Sequence, residues 1–494
     1  MDASLRLSDL IEGGGDAARS IVSDIDITGL TADSRDVRPG FLFAALPGAT
    51  QDGRDYISQA IANGATAILA PPAVQPGEIG TDAQLVSDTE PRRKLALMAA
   101  RFYQAQPDTV AAVTGTNGKT SVTNFVHQLW TLQGHRSAAL GTLGITAQGR
   151  KPGAGLTTPD PIQLHESLSL LKREGINHLA IEASSHGLDQ HRLDGVRIAA
   201  AAFTNLSRDH LDYHATMEAY LESKLRLFSE LLRDGGTAII DADSPQYDRI
   251  IEIVRGRHLY PLTYGREKGD IRCLGASAHA GAWSLSIEAL GTRYNVDFAL
   301  PSAFQIDNAL CALAVVIGCG AAPHTVVPLL ARLTGVPGRM QVAGRRKNGA
   351  TVIVDYAHTP DALATVLRAA RPYATNRLAV IFGCGGDRDP GKRAEMGAAA
   401  ATHSDDAIIT DDNPRSEEPA TIRKQALQGC PDAREIGDRH EAIHTGVAEL
   451  ETGDILVIAG KGHEQGQKVG DKILPFDDVT VACEAIDDLD GASA

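Results

Sequence analysis

An α/β protein of several domains, with largely parallel sheets, is what this sequence predicts. Short apolar runs such as "GFLFAAL" and "DTVAAVTG" alternate with amphipathic helical stretches, the pattern of strands buried by helices on both faces. At 494 residues the chain is too long for a single hydrophobic core and implies two to four domains. In its last third, "TVIVDYAHTPDA", "LAVIFGCGGDRD", "DAIITDDNPR" and "DILVIAGKGHE" each run from an apolar strand pattern into a polar or glycine-rich loop. In a parallel open sheet such loops leave together at the carboxyl edge, where ligands bind. One such loop is an ordinary connection; four in succession, carrying His358, Arg388, Arg415 and Glu464, point to a site.

Taken in order, the first region runs to about residue 90, with strand-like "GFLFAAL" and "ATAILAPP" and a Pro/Gly-rich loop over 71–80. A helical stretch over 91–104, "PRRKLALMAARFYQ", leads into the second region, which continues to about residue 336. "GVPGRMQ", 335–341, reads as a connector, and the third region follows with "ATVIVDYAHT". The expected domains are therefore 1–90, 91–336 and 337–494.

Bulk composition narrows the function. With 47 basic against 62 acidic residues the formal charge is -15, which argues against a general nucleic-acid or anionic-membrane surface. The six cysteines, Cys273, Cys311, Cys319, Cys384, Cys430 and Cys483, form no Cys-x-x-Cys pair, which fits buried thiols in a reducing compartment. Neither a basic-then-apolar leader pattern nor a run of 18 apolar residues occurs, so a cytoplasmic protein without membrane insertion is expected.

Two stretches resemble half of a phosphate-binding loop. "AAVTGTNGKTSVTNF" ends in Gly118-Lys119-Thr120, but Val113 occupies the place of the first glycine of a full Walker A motif. "GGDRDPGKR" has Gly386 and Gly391-Lys392 but continues with Arg393 instead of a hydroxyl. The first follows a buried-strand pattern and precedes Val122, Phe125, Val126 and Leu129 at helical spacing, with Gly134 as a stop. In that context backbone N–H groups and a helix N-terminus meet phosphates, Lys119 adds charge and Thr120 can ligate Mg²⁺. The second places Asp387 and Asp389 inside its turn, which repel polyphosphate. ATP is assigned to the first loop and another ligand to the second.

Three further features are ambiguous as read from the residues. Glu182 ends the strand pattern "HLAIE", where it is either a solvated strand end or a metal-reaching carboxylate. "RDHLDYH" gathers Asp209, His210, Asp212 and His214, either a polar surface loop or a metal site. Lys224 lies in an amphipathic segment, the ordinary place of a surface lysine.

The shortened loop "TGTNGKTS" resembles the ATP loop of the Mur ligases, the ATP-dependent amide-forming family of peptidoglycan precursor synthesis. Along the chain, "TADSRDVRPGFLFAALPG", "TTPDP", "EASSHGLDQHR", "TNLSRDHLDYH", "YLESKLRLF", "DNALCALAV", "DYAHTPDAL", "GCGGDRDPGKR" and "GKGHE" are similar to family motifs in the family's order. The resemblance implies an N-terminal nucleotide-sugar-binding α/β domain, a central P-loop ATPase-like domain with a mostly parallel sheet, and a C-terminal Rossmann-like domain. It implies an ATP site of Gly115, Thr116, Asn117, Gly118, Lys119, Thr120 and Ser121, joined by Asn308, Arg339 and His358. Mg²⁺ is implied at Thr120, Glu182, His210 and Lys224, the last as a carbamate formed with CO₂; Lys119, Glu182, His210 and Lys224 are the implied catalytic set. Ala32 and Ser34, with Thr157, Thr158, Ser184, Gln190 and Arg192, match positions holding UDP-N-acetylmuramoyl-L-Ala-D-Glu. Ala32 departs from the larger apolar residue common among relatives, which weakens the uracil contact.

Within the family, the resemblance is to members that add the third residue of the stem peptide, and Asp412-Asn413-Pro414-Arg415 matches those adding meso-diaminopimelate. The chemistry agrees, because a guanidinium can bind the extra far carboxylate bidentately and repels the bare ammonium of lysine. Arg388, Gly460 and Glu464 complete the implied pocket, with Arg388 suited to a carboxylate and Glu464 to the far ammonium. A monomer acting on small molecules is expected. The rival readings are a lysine-adding relative, a folylpolyglutamate-synthase-like ligase, a P-loop motor or switch ATPase, and a non-catalytic homologue.

Overall fold

The computed structural model describes residues 4–11, 24–48, 51–80, 82–150, 156–279, 282–300 and 302–491. Its larger sheets have four, ten and six strands, one in each region expected from the sequence.

The first sheet is parallel throughout, in the order Gly29–Thr31, Phe41–Ala44, Ala65–Ala70, Gln84–Ser87. The loop expected over 71–80 contains a short helix, Pro76–Ile79. Pro76 stands at a position that tolerates proline, and Gln75 with Glu78 forms a capping box, so local capping overrides the turn-like composition. The helix Pro91–Tyr103 starts on a proline and buries Leu95, Met98 and Ala99 against Leu7, Leu10, Leu42 and Leu69. It also packs on the helix Pro161–Arg173 of the next region. The boundary read at residue 90 thus falls at the start of a helix that serves both units.

In the ten-stranded sheet the order is Thr292–Phe298, Ala282–Ala289, Ile271–His279, Tyr260–Gly265, Leu232–Asp241, Ile198–Phe203, Thr109–Thr114, His178–Glu182, Ser137–Gly141, Gly144–Ala147. The middle is parallel, while Ile271–His279, Ala282–Ala289 and Thr292–Phe298 pair antiparallel with one another, as Gly144–Ala147 does with Ser137–Gly141. Along Thr109–Thr114, Val110 and Ala112 face one core and Ala111 and Val113 the other, the two-residue period of a doubly covered strand. On the second face lie the helices Lys119–Leu132 and Ala303–Gly318. The latter is buried almost all round, from Ile306 to Ile317. Each fully buried leucine or phenylalanine here contributes about 1.5–3 kcal/mol.

The third sheet runs Gln341–Arg345, Thr351–Asp355, Ile455–Ala459, Leu378–Phe382, Asp406–Ile409, Arg434–Glu435, parallel except for the first pair. The four strand-to-loop junctions singled out above therefore open at one edge of one sheet. Among the described residues no helix is long and apolar enough to cross a membrane.

Candidate active site

Val113 is fully buried in its strand, and the turn begins only at Gly115. Gly115 and Gly118 have φ of +140° and +87°, and the helix Lys119–Leu132 starts directly after. A Cβ on Gly115 would lie 1.9 Å from Thr204 Oγ1, and one on Gly118 2.5 Å from Asn308 Oδ1, so only glycine fits either place. The turn is braced from the neighbouring strand, where Thr204 Oγ1 donates to Asn117 O at 2.6 Å and Asn205 Oδ1 accepts from Asn117 N at 2.9 Å. Its helix N-terminus opens on a cavity of about 380 Å³. Thr116, Asn117, Gly118, Lys119, Thr120 and Ser121 line it together with Asn308, Arg339 and His358, as do Thr157, Glu182, Ser184, His210 and Lys224. Gly115 contributes its carbonyl behind this wall.

Glu182 is 1% exposed, which removes the solvated strand-end reading. Its Oε2 accepts from Thr120 Oγ1 at 3.0 Å and from Thr142 Oγ1 at 3.1 Å, and its Oε1 from Thr142 N at 2.9 Å. Arg339, on the far side of the cavity, donates from Nη2 to Thr120 Oγ1 at 3.1 Å. Lys224 is 1% exposed, so the surface-lysine reading fails too. Lys224 Nζ and Lys119 Nζ both donate to Gly115 O at 2.9 Å. Burial, and then the Lys119 charge, pull the Lys224 ammonium well below its ordinary value; burial also lowers Lys119.

Asp209 lines the same cavity and lies against two residues of the third region: Lys392 Nζ is 3.6 Å and His358 Nε2 3.7 Å from its carboxylate. Burial would raise this carboxyl, but His358, with Lys392 behind it, holds it well below the usual range. His210, at φ +56°, is pushed by burial to about 3 and is therefore a neutral imidazole with a lone pair to offer.

These donors fit Mg²⁺. The Thr120 hydroxyl and Glu182 carboxylate meet at the start of a phosphate-type helix, and a hard cation takes oxygen ligands while sharing its shell with phosphates. Among the described residues no group of three or more His, Cys, Asp or Glu could hold a metal unaided. An ion here would depend on nucleotide oxygens for part of its shell.

The residues matched to the peptide substrate form one connected chain. Thr157 Oγ1 lies 3.1 Å from Thr142 Oγ1, and Thr158 Oγ1 accepts from Ser184 N and Oγ, both at 3.0 Å. Arg192 donates to Thr158 O at 2.7 Å and to Gln190 Oε1 at 2.7 Å, and Gln190 Nε2 donates to Tyr213 Oη at 3.1 Å. Ala32 and Ser34 are not brought to this cavity; Ser34 Oγ donates to Gln59 Oε1 at 3.1 Å within the first region.

At the edge of the third sheet, Asp412, Asn413, Pro414 and Arg415 share one loop with Gly460 and Glu464 opposite. Asn413 Nδ2 donates to Glu464 Oε2 at 2.9 Å, and a Cβ on Gly460 would lie 2.7 Å from Asp412 Oδ2. The second half-motif folds onto this loop: Arg415 Nη1 donates to Gly386 O at 2.7 Å and Ser416 Oγ to Asp387 Oδ1 at 2.6 Å. Burial, then the Arg388 charge, lower the Arg415 guanidinium, and both side chains border one glycine: a Cβ on Gly385 would lie 2.8 Å from Arg415 Nη1 and 3.8 Å from Arg388 Cγ. The same loop reaches the second region, where Arg208 Nε pairs with Asp389 at 3.1 Å and Lys392 approaches Asp209. The Asp412–Arg415 loop and the cavity at the Lys119 helix are thereby joined by residues 386–392.

Reading the sequence missed Thr142, Tyr220 and Asp355 in this cavity. Thr142 follows Gly141, which carries no motif signal yet would place a Cβ 2.1 Å from Glu182 Oε1. Gly141→Ala is expected to displace that carboxylate and lower turnover about a hundredfold, for roughly 1–3 kcal/mol of stability. Steady-state rates beside thermal melts check this; wild-type turnover in a folded variant would show that the position of Glu182 is unimportant.

Comparison with known proteins gives matches along almost the whole chain. Residues 26–103 match the Mur ligase family catalytic domain, 113–316 the Mur ligase middle domain, and 338–462 the Mur ligase glutamate ligase domain. A protein of Bradyrhizobium diazoefficiens is 50% identical over 488 residues, covering 98% of this chain and 99% of its own. One of Agrobacterium fabrum is 46% identical, covering 96% of each. Both are named UDP-N-acetylmuramoyl-L-alanyl-D-glutamate–2,6-diaminopimelate ligase. A solved structure with the same name aligns at TM-score 0.68 with 34% identity, over 98% of this chain and 99% of that one. The MurF ligase of Thermotoga maritima in complex with ADP, 20% identical, shares the fold at TM-score 0.62, over 93% of this chain and 97% of its own.

Proposed function

Because the chain belongs to the Mur ligase family, we propose that it joins meso-2,6-diaminopimelate to the D-glutamate of UDP-N-acetylmuramoyl-L-Ala-D-Glu, converting ATP to ADP and phosphate. The reaction makes the tripeptide precursor of peptidoglycan. Its D-glutamyl carboxylate takes the γ-phosphoryl group and becomes an acyl phosphate. The amine of diaminopimelate then adds to that carbonyl, phosphate leaves, and the amide forms.

Each region has its share in this reading: 1–90 holds the nucleotide sugar through Ser34 and the Ala32 segment, 91–336 holds ATP, and 337–494 holds the amino acid. Lys119 and the 115–121 backbone grip the phosphates, with Asn308, Arg339 and His358 on the rest of the nucleotide. Thr157, Thr158, Ser184, Gln190 and Arg192 orient the dipeptide. Mg²⁺, held by Thr120, Glu182, His210 and a Lys224 carbamate, would neutralise charge on the transferring phosphoryl group. Excluding water is the task of closure, since an acyl phosphate hydrolyses readily; Arg208 with Asp389 and Arg339 with Thr120 tie the two large regions across the cavity.

The observation that carries the choice of amino acid is that Arg388 and Arg415 border the same glycine, Gly385, in the loop cluster that holds Asp412 and the Asn413–Glu464 bond. Two guanidiniums favour a ligand with a carboxylate at its far end, and the two acids favour the accompanying ammonium. The same reading has the chain act as a cytoplasmic monomer on small molecules; six free cysteines fit a reducing compartment.

ADP release is expected only when the UDP-muramoyl dipeptide and meso-diaminopimelate are both present. A coupled assay leaving out each substrate in turn checks this. ADP release with ATP alone would favour a motor or switch ATPase, and equal turnover with L-lysine would remove the Arg415 reading.

A further inference from the structure

We propose that Lys461 is a positioning residue that sets amino-acid selectivity, by anchoring Glu464 and Asn413 and balancing the acidic groups of the pocket. This rests on the reading above, that the pocket takes a diamino acid with a far carboxylate.

Lys461 is wholly buried, whereas the Glu464 side chain is 32% exposed. A buried ammonium is costly unless all its protons are met. Here Nζ donates to Asn413 Oδ1 at 3.1 Å, Glu464 Oε2 at 3.2 Å and Gly466 O at 2.6 Å, which accounts for its three donors. Asn413 closes the ring: Nδ2 donates to the same Glu464 Oε2 at 2.9 Å, and Oδ1 also accepts from Lys468 N at 2.9 Å. Both bonds to Glu464 fall on Oε2. The carboxylate is anchored by one oxygen and keeps the other for a ligand's ammonium.

The hairpin Gly466–Val469 and Lys472–Pro475 extends this scaffold to the whole loop. Gln467 Nε2 donates to Asp412 O at 2.8 Å, Arg415 N to Lys468 O at 3.0 Å, and Gly470 N to Arg415 O at 2.7 Å. Lys461, bonded to Gly466 O at its base, links hairpin, Asn413 and Glu464 at one point.

Charge makes the role one of selectivity. Arg388, Arg415 and Lys461 set three cations against Asp412, Glu464 and Asp387, a balanced set. The far end of diaminopimelate, carboxylate plus ammonium, carries no net charge and suits a balanced pocket; lysine brings an ammonium alone and is disfavoured. Without the Lys461 charge the pocket becomes net anionic, and the Glu464 anion becomes free to attract lysine.

The test is Lys461→Met in the full-length enzyme, assayed with meso-diaminopimelate and, at millimolar concentration, with L-lysine. The ratio of kcat/KM for diaminopimelate over lysine should fall by about tenfold or more, mainly through KM, with KM for ATP unchanged. Glu464→Gln, the second variant, keeps the buried lysine and removes its acidic partner, so its ratio should hold or rise although diaminopimelate binds more weakly. An unchanged ratio in Lys461→Met, a uniform loss of kcat with all KM values kept, or a fall in both variants overturns the proposal. If Lys461→Met does not fold, a fall in the ratio of Glu464→Gln alone overturns it. Wild-type enzyme that does not use meso-diaminopimelate would instead overturn the functional reading beneath it.

Discussion

Lys224→Ala is expected to lower turnover by about a thousandfold or more, with KM for the amino acid little changed. The expectation comes from what surrounds Nζ. Lys224 is buried, its Nζ shares the Gly115 carbonyl oxygen with Lys119, and it stands 4.2 Å from the centre of the Tyr220 ring. Two ammoniums on one oxygen repel, and burial removes the water that would screen them. Both effects favour a neutral amine, in keeping with the strongly lowered Lys224 value. A neutral lysine amine can add to CO₂: the N–C bond forms, an N–H proton leaves to solvent, and a carbamate remains. That step would place a negative charge beside Lys119 and oxygens where the proposed Mg²⁺ would sit. Short carboxylates such as acetate, added to the alanine variant, should recover part of the rate by entering the space the side chain vacates. Intact-protein mass should show one CO₂ on the wild type and none on the variant. Full activity in Lys224→Ala would end the carbamate proposal.

Much of this architecture was legible because strand ends mark it. Val113 reads as strand, and it is; the shortened loop then follows from where the strand stops. The four loops of the third region could be placed at one edge because parallel pairing leaves no other arrangement. Burial was less legible. Lys224 and Glu182 each had a bland reading from the sequence, and only the walls built by Gly115, Tyr220 and Thr142 remove it. Those partners lie 109, 4 and 40 residues away in sequence, so the two distant ones leave no local pattern. Gly141 is the clearest case: its need for glycine comes from a carboxylate on the neighbouring strand. The short helix Pro76–Ile79 was hidden for the opposite reason, since its caps are the residues that also make turns.

Arg415→Leu is expected to reduce kcat/KM for meso-diaminopimelate by about 10²–10³, the cost of removing one partner of a buried charge pair. The residue is held for this task. Its φ is +52°, a conformation strained for a branched-chain-sized side chain, and the backbone is clamped on both sides by Lys468 O and Gly470 N. Gly385 is open to it: a Cβ there would stand 2.8 Å from Arg415 Nη1. The guanidinium thus lies against Gly385 and Gly386, and the Arg388 charge, of the same sign, disfavours its own. A substrate carboxylate relieves that repulsion; an ammonium adds to it. Arg415→Lys separates the two contributions, because it keeps the charge and loses the planar fork. If bidentate geometry matters, the lysine variant should lose at least tenfold in kcat/KM for diaminopimelate yet still discriminate against L-lysine. Arg415→Leu should lose both affinity and discrimination, so that the ratio of the two substrates collapses. Retained discrimination in Arg415→Leu would shift the reading of the far carboxylate onto Arg388 alone, because that is the other cation placed to meet it.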